Sequence, residues 1–236
     1  MNPRIAALPG LRRIATLAVI LLFSGCLTIE EHYTFKKDGS GTMEYVMDLS
    51  EIGSLLESLP SDSGKKGGAK KDKASGEQVG ILAGMEQQVP MLKELPGIKK
   101  VKLKKDKSGY LGRITFAFDD VAALNRALNV LMPDSVHGEQ EFFRWEGSTL
   151  VRRSGGYARM LGSDMGADGD SLDVASMFES MKYKMSFKFA QPVSHLDKAD
   201  GMVSGQPKPK QLNLATDFRK IMEDRSTLDL RIALDK

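Results

Sequence analysis

A chain of 236 residues with one cysteine has no internal disulfide, so a hydrophobic core must stabilise it unaided. Its formal charge is +3, and its first 25 residues carry Arg4, Arg12 and Arg13 and no acid, which leaves the part from Cys26 onward neutral. A neutral chain lacks the basic face of a general nucleic-acid binder.

The leader has the parts of a secretory signal. The three arginines make a basic start, and Ile14 to Leu22 is uncharged and mostly apolar. That run is too short to span a bilayer, which needs roughly 20 apolar residues. It ends in Leu21-Leu22-Phe23-Ser24-Gly25-Cys26, where two small residues precede the only cysteine. This is the pattern of a bacterial lipobox. Residues 1–25 are expected to be removed and Cys26 to be acylated, palmitate being the expected kind of chain. Several acyl chains make a lasting anchor, at about 0.8 kcal/mol per buried CH₂. Leu27 rather than an aspartate follows the cysteine. The expected location is therefore the outer membrane if the host has one, and otherwise the outer face of the plasma membrane.

After the anchor, Ile29, Glu31, Tyr33 and Phe35 alternate with Glu30, His32 and Thr34, and Met43, Tyr45 and Met47 alternate with Glu44 and Asp48. Lys36-Lys37-Asp38-Gly39-Ser40-Gly41 stands between them, so the segment reads as a β-hairpin with one wet face. Ser50 reads as a helix N-cap, followed by Ile52, Leu55, Leu56 and Leu59 at helical spacing up to Pro60. Residues 61–78, rich in Ser, Gly and Lys, read as a disordered insertion. Residues 79–95 read as a helix that Pro90 kinks or splits.

The strand-strand-helix order then recurs. Val101 and Leu103, the turn Lys104-Lys105-Asp106-Lys107-Ser108-Gly109, then Ile114, Phe116 and Phe118 make a second hairpin. Asp119 or Asp120 caps a helix through Leu131. The two hexapeptide turns differ at one position, which is either a trace of duplication or the common composition of turns.

A third hairpin joins Phe143 and Trp145 to Leu150 and Val151. Tyr183, Met185, Phe187 and Phe189 share one strand face, Leu212 and Leu214 lie in a short strand, and Phe218, Ile221 and Met222 suit a short helix. Leu228 to Leu234 closes the chain. The expected fold is α+β: an antiparallel sheet of several hairpins, eight strands in all, with helices packed on one face. Residues 26–236 are expected to form one domain.

Catalytic signatures are lacking. The sequence has no GxSxG, HExxH, P-loop or Rossmann fingerprint. His32, His137 and His195 are far apart, and no metal site or cofactor is expected. Asp164, Asp168, Asp170 and Asp173 offer hard oxygens for calcium, but the EF-hand order is missing and a mobile loop uses the same residues. Met177, Met181, Met185, Phe187 and Phe189 define a candidate ligand groove, since thioethers adapt to varied apolar shapes. Plain core filling is the competing reading.

The lipobox cysteine followed at once by a strand, the turn in FKKDGSG, the strand end Phe189-Ala190-Gln191-Pro192-Val193 and two closing strands together resemble the LppM-type lipoprotein domain. The resemblance implies an α+β envelope domain without a known catalytic centre, associated with envelope lipids and acylated at Cys26. Proteins of that kind often end in a transmembrane helix, and this chain ends at Leu234-Asp235-Lys236 without one.

The function expected is that of a non-enzymatic, lipid-anchored envelope protein binding a hydrophobic ligand or a membrane surface. An interaction subunit docking an envelope protein partner is the alternative, and a hydrolase with an unrecognised site is the third reading.

Overall fold

The computed structural model describes residues 27–51, 78–133, 138–153, 180–224 and 226–235. The first hairpin pairs β1 (Thr28–Phe35) with β2 (Gly41–Asp48), Tyr33 opposite Met43. Ser50 and Glu51 are helical, and the Ser50 N–H donates to the Asp48 carboxylate at 3.0 Å. Ser50 thus lies inside the first turn, and the expected continuation through Leu59 lies outside the described residues. So does the expected insertion, except that Gln78 already opens a helix.

That helix, α1 (Gln78–Glu94), is not split at Pro90. Met85 and Leu92 on either side of the proline are buried in the core, and this packing offsets the hydrogen bond the proline lacks. The second hairpin joins β3 (Ile98–Lys105) to β4 (Leu111–Phe118). Asp120 is the residue that caps α2 (Val121–Leu131), its carboxylate accepting from the Ala123 N–H at 2.7 Å.

The two similar hexapeptides do not occupy equivalent positions. The left-handed residue is Gly39 in the first turn and Gly109 in the second, at φ 84 and 76. Aligned by letters, Gly109 corresponds to Gly41, so the match is out of step with the backbone by two residues. Turn composition accounts for it.

The third hairpin is β5 (Phe143–Glu146) and β6 (Thr149–Arg152). Then come β7 (Lys182–Lys188), β8 (Val193–Lys198), β9 (Val203–Lys208), β10 (Gln211–Asp217), α3 (Phe218–Glu223) and β11 (Leu230–Leu234). The described residues therefore hold eleven strands, not eight. β8 and β9 escape the sequence reading because β9 is exposed throughout and β8 mixes exposed with half-buried positions, so neither carries a hydrophobic alternation, and the closing segment adds β11 to the count.

The fold is α+β, as expected, but the strands divide into two sheets. One has seven strands in the order β3-β4-β2-β1-β7-β10-β9 and the other four in the order β5-β6-β11-β8. All pairs are antiparallel except β1 and β7, which run parallel with Tyr33 beside Phe187. The small sheet and helices α1 and α2 cover one face of the large sheet. Tyr33 stacks on Phe187 at 5.2 Å between ring centroids and meets Phe143 of β5 edge-on at 5.0 Å. Phe35 meets Trp145 in the same way at 5.8 Å.

Candidate functional site

Period-2 geometry sends every second residue of the central strands away from the core. Ile29, Glu31, Tyr33 and Phe35 point in, so Glu30, His32 and Thr34 point out, and their register partners on β2, β4, β7 and β10 do the same. This open face carries two cavities. One, of about 490 Å³, crosses five strands from Lys100 and Lys102 on β3, over Thr115 and Thr42, to Lys188 on β7. The other, of about 390 Å³, extends over β10 to the edge strand β9, where Val203, Gly205 and Ala215 give it an apolar wall. His32 and Ser186 line both.

The parallel pairing of β1 with β7 sets the chemistry between the cavities. It places Glu30 beside Lys184 and His32 beside Ser186. His32 Nδ1 lies 2.7 Å from Ser186 Oγ and its Nε2 lies 3.0 Å from Glu30 Oε2. Lys184 Nζ holds the other oxygen of Glu30 at 3.2 Å. The hydrogen bond from His32 holds the Glu30 carboxyl down at about 2, with burial opposing and Lys184 reinforcing the shift. An ionised Glu30 accepts only, so a proton sits on His32 Nε2, and in the neutral imidazole Nδ1 is then the acceptor for the Ser186 hydroxyl.

The lysines at the other end reach the face through a bulge. Lys99 pairs with Ala117 and Lys102 with Thr115, so two residues of β3 stand opposite one of β4. The extra residue keeps Ile98 and Leu103 against the core while Lys100 and Lys102 line the cavity. Lys100 pays for this turn with φ 57, a left-handed conformation that disfavours residues with a Cβ. Along β2 and β4, Arg113 binds Glu44 at 2.7 Å.

A second polar cluster lies inside the core. Glu31 of β1 is fully buried, as is Arg152 of β6. Arg152 Nη2 donates to Glu31 at 3.0 Å and Nη1 to the Leu228 carbonyl at 2.8 Å. The hydroxyls of Tyr33 and Tyr183 complete the carboxylate's bonds. Burial opposes the charge on Arg152, but Glu31 and the two tyrosines outweigh it and raise its affinity for the proton. Burial, reinforced by Glu31, holds the Tyr33 hydroxyl protonated. This cluster bolts the small sheet to the large one.

The residues singled out in the sequence are placed as follows. Cys26, Met177 and the four aspartates of the acidic segment lie outside the described residues. Met181, Met185 and Phe187 are packed in the core, and Met185 also lines the cavity that reaches β9. They share the inward parity of Tyr183, which is why they read as one apolar stripe. Phe189 stacks on Phe35 and Phe187 and forms part of a third cavity, of about 460 Å³, with Phe35 and Trp145. Among the described residues no group of three His, Cys, Asp or Glu is arranged for a metal ion. No described helix is long and apolar enough to cross a membrane, which says nothing of β-barrels.

Sequence reasoning placed Glu30 and His32 on one wet face but missed their partner. Ser186 lies 154 residues from His32, and only the parallel pairing joins them.

These features define a mixed α+β protein of two sheets, with a buried ion pair between them and an open polar face on the larger. No protein-family profile and no curated protein matches the chain. Among solved structures it is similar to the folded domain of the Mycobacterium tuberculosis protein LppM, determined by NMR, with 11% identity, a TM-score of 0.43, and coverage of 90% of this chain and 91% of that one. The similarity is remote.

Proposed function

We propose that the protein is a lipid-anchored component of the cell envelope, tethered at Cys26, whose domain binds an amphiphile or a membrane surface through the open face of the large sheet. The observation that carries the binding half is the pair of cavities meeting at His32 and Ser186. Lysine and threonine side chains on one side suit an anionic or hydroxylated headgroup, and the wall at Val203 and Ala215 suits an apolar chain. Val203 is 70% exposed and so leaves its apolar surface open to a bound chain. The anchoring half is supported by the leader. It is also supported by Leu27, which is buried and accepts a hydrogen bond from the Lys182 N–H at 2.8 Å. The chain is thus already part of the fold one residue after the proposed acyl acceptor, which keeps the domain close to the bilayer.

Docking of a protein partner by strand addition has less support on the large sheet. Its edge strand β9 carries Gly205 and Pro207, and its other edge, β3, is rich in lysine, features that blunt edge pairing.

Two measurements test the proposal. In a bacterial host, the full chain is expected to incorporate an alkyne-tagged palmitate and Cys26→Ser is not. Native mass spectrometry of the protein with an envelope lipid extract is expected to show a discrete adduct that Val203→Glu weakens at least tenfold. A chain that takes no label sinks the anchor, and a folded chain that stays bare sinks the binding face.

A further inference from the structure

The hydrogen-bond relay on the open face has the ground state of a base-activated hydroxyl. We infer that Ser186, His32 and Glu30 form a nucleophilic site that cleaves carboxylic esters of amphiphiles. This goes beyond the binding reading, because it assigns the same face a reaction, and it does not depend on acylation of Cys26.

Three observations carry it. Ser186 Oγ and His32 Nδ1 are at hydrogen-bond distance, 2.7 Å, and His32 Nε2 is 3.0 Å from Glu30. Nucleophile, base and orienting carboxylate are therefore linked in the order that activation requires. Relative to the familiar serine–histidine–aspartate arrangement the two ring nitrogens exchange roles, and roles rather than positions identify such a site. Next, Lys184 occupies the second oxygen of Glu30, which fixes the carboxylate so that it can steady an imidazolium. Finally, the hydroxyl stands where the lysine-lined and apolar cavities meet, so an ester lying across both presents its linkage, between head and tail, to Ser186.

In the first step Ser186 Oγ attacks the ester carbonyl carbon. A new C–O bond forms to Ser186, and the proton moves from Oγ to His32 Nδ1. Collapse of the tetrahedral intermediate breaks the bond to the alcohol oxygen, which takes that proton from His32. In the second step water attacks the acyl-serine, His32 receives the water proton and returns it to Ser186, and the carboxylic acid leaves. The sum is ester plus water giving acid plus alcohol.

The backbone amides of β1 and β7 are engaged in the sheet ladder, so a side chain must meet the developing oxyanion. Lys188 follows two residues after Ser186 on the same face, roughly 6.6 Å along the strand, and lines the same cavity.

The test uses the full chain with a fluorophosphonate probe and p-nitrophenyl esters of increasing acyl length. Ser186 is expected to be the labelled residue, by peptide mass mapping. Ser186→Ala is expected to abolish labelling and turnover, and His32→Gln to slow both about 100-fold or more, as loss of a general base does. Glu30 is a positioning residue: Glu30→Gln should lower kcat with little change in KM, and Glu30→Asp should recover part of it. Lys188→Gln should likewise act on kcat. Circular dichroism confirms that each variant folds. Folded wild-type protein whose Ser186 is not labelled, or is labelled equally in His32→Gln, reduces the relay to a cross-strand hydrogen-bond ladder and overturns the inference. The binding proposal is separable, because the lipid adduct of the wild-type chain is read by native mass spectrometry without any labelling or turnover.

Discussion

Arg152 and Glu31 are the residues on which the two sheets depend. Each sits without solvent contact in a core otherwise built of Tyr, Phe, Leu and Met, and each is charged. Removing one partner strands the other, which typically costs about 3–5 kcal/mol. Arg152→Met should therefore lower the unfolding free energy by about that amount in denaturant titration. The double variant Arg152→Met/Glu31→Leu should recover only part of the loss, since it removes the stranded charge but takes their partner from the Tyr33 and Tyr183 hydroxyls and the Leu228 carbonyl. A single variant as stable as wild type would mean that water reaches the pair. Neither residue betrayed this role in the sequence. Glu31 was legible as inward-facing by its parity with Ile29 and Tyr33, but only the arrival of β6 over β1 supplied its counter-ion.

Elements read well where one face is buried and the other wet. β1, β2, β4 and β7 each announced themselves by alternation, and α2 by its capping aspartate and the apolar stripe of Leu124, Leu128 and Leu131. The edge of the small sheet shows what such reading omits. Asn125 and Asn129, four residues apart on α2, present their amides to the backbone of the chain entering β5. Asn125 accepts from the Phe143 N–H at 2.8 Å and donates to its carbonyl at 2.7 Å, and Asn129 does the same for Gln140 at 2.8 and 2.9 Å. The helix thus supplies the hydrogen bonds that a neighbouring strand would give. Asn125→Leu leaves one N–H and one carbonyl of a half-buried edge unpaired. At roughly 1–3 kcal/mol for each such group when buried, it should destabilise the protein by about 2–4 kcal/mol in thermal or chemical unfolding. Asn129→Asp, which keeps an acceptor, should cost less. In the sequence these asparagines look like ordinary polar positions of an amphipathic helix.

At the scale of the molecule, charge is unevenly placed. The chain from Cys26 onward is neutral, yet β3 and β7 bring lysines together on the open face. Glu30 is the acid at its centre. Its carboxyl titrates at about 2 in the folded protein against an ordinary 4.5. A depressed carboxyl stabilises the fold fully above its unfolded value and ceases to do so as the pH falls through its folded value. Stability should therefore lose the Glu30 contribution between about pH 4.5 and 2. Since the group is half-exposed and screened by solvent, that contribution is about 1 kcal/mol. Glu30→Gln should remove this part of the acid dependence in denaturant titrations at stepped pH. A variant whose profile overlays the wild type would show that Glu30 does not carry the effect.

The leader pattern, the α+β class, the hairpins and the inward parity of the core strands were legible in the residues alone, because these follow from local periodicity and turn chemistry. Alternation also placed Glu30 and His32 on one wet face. Long-range packing divided the strands into two sheets and set β1 parallel to β7. It also buried the side chains of Met181, Met185 and Phe187 in the core. Those outcomes depend on contacts between segments far apart in the chain. Ser186 joins His32, and Arg152 joins Glu31, only through strand pairing and sheet stacking, which leave no periodic trace in the residues themselves.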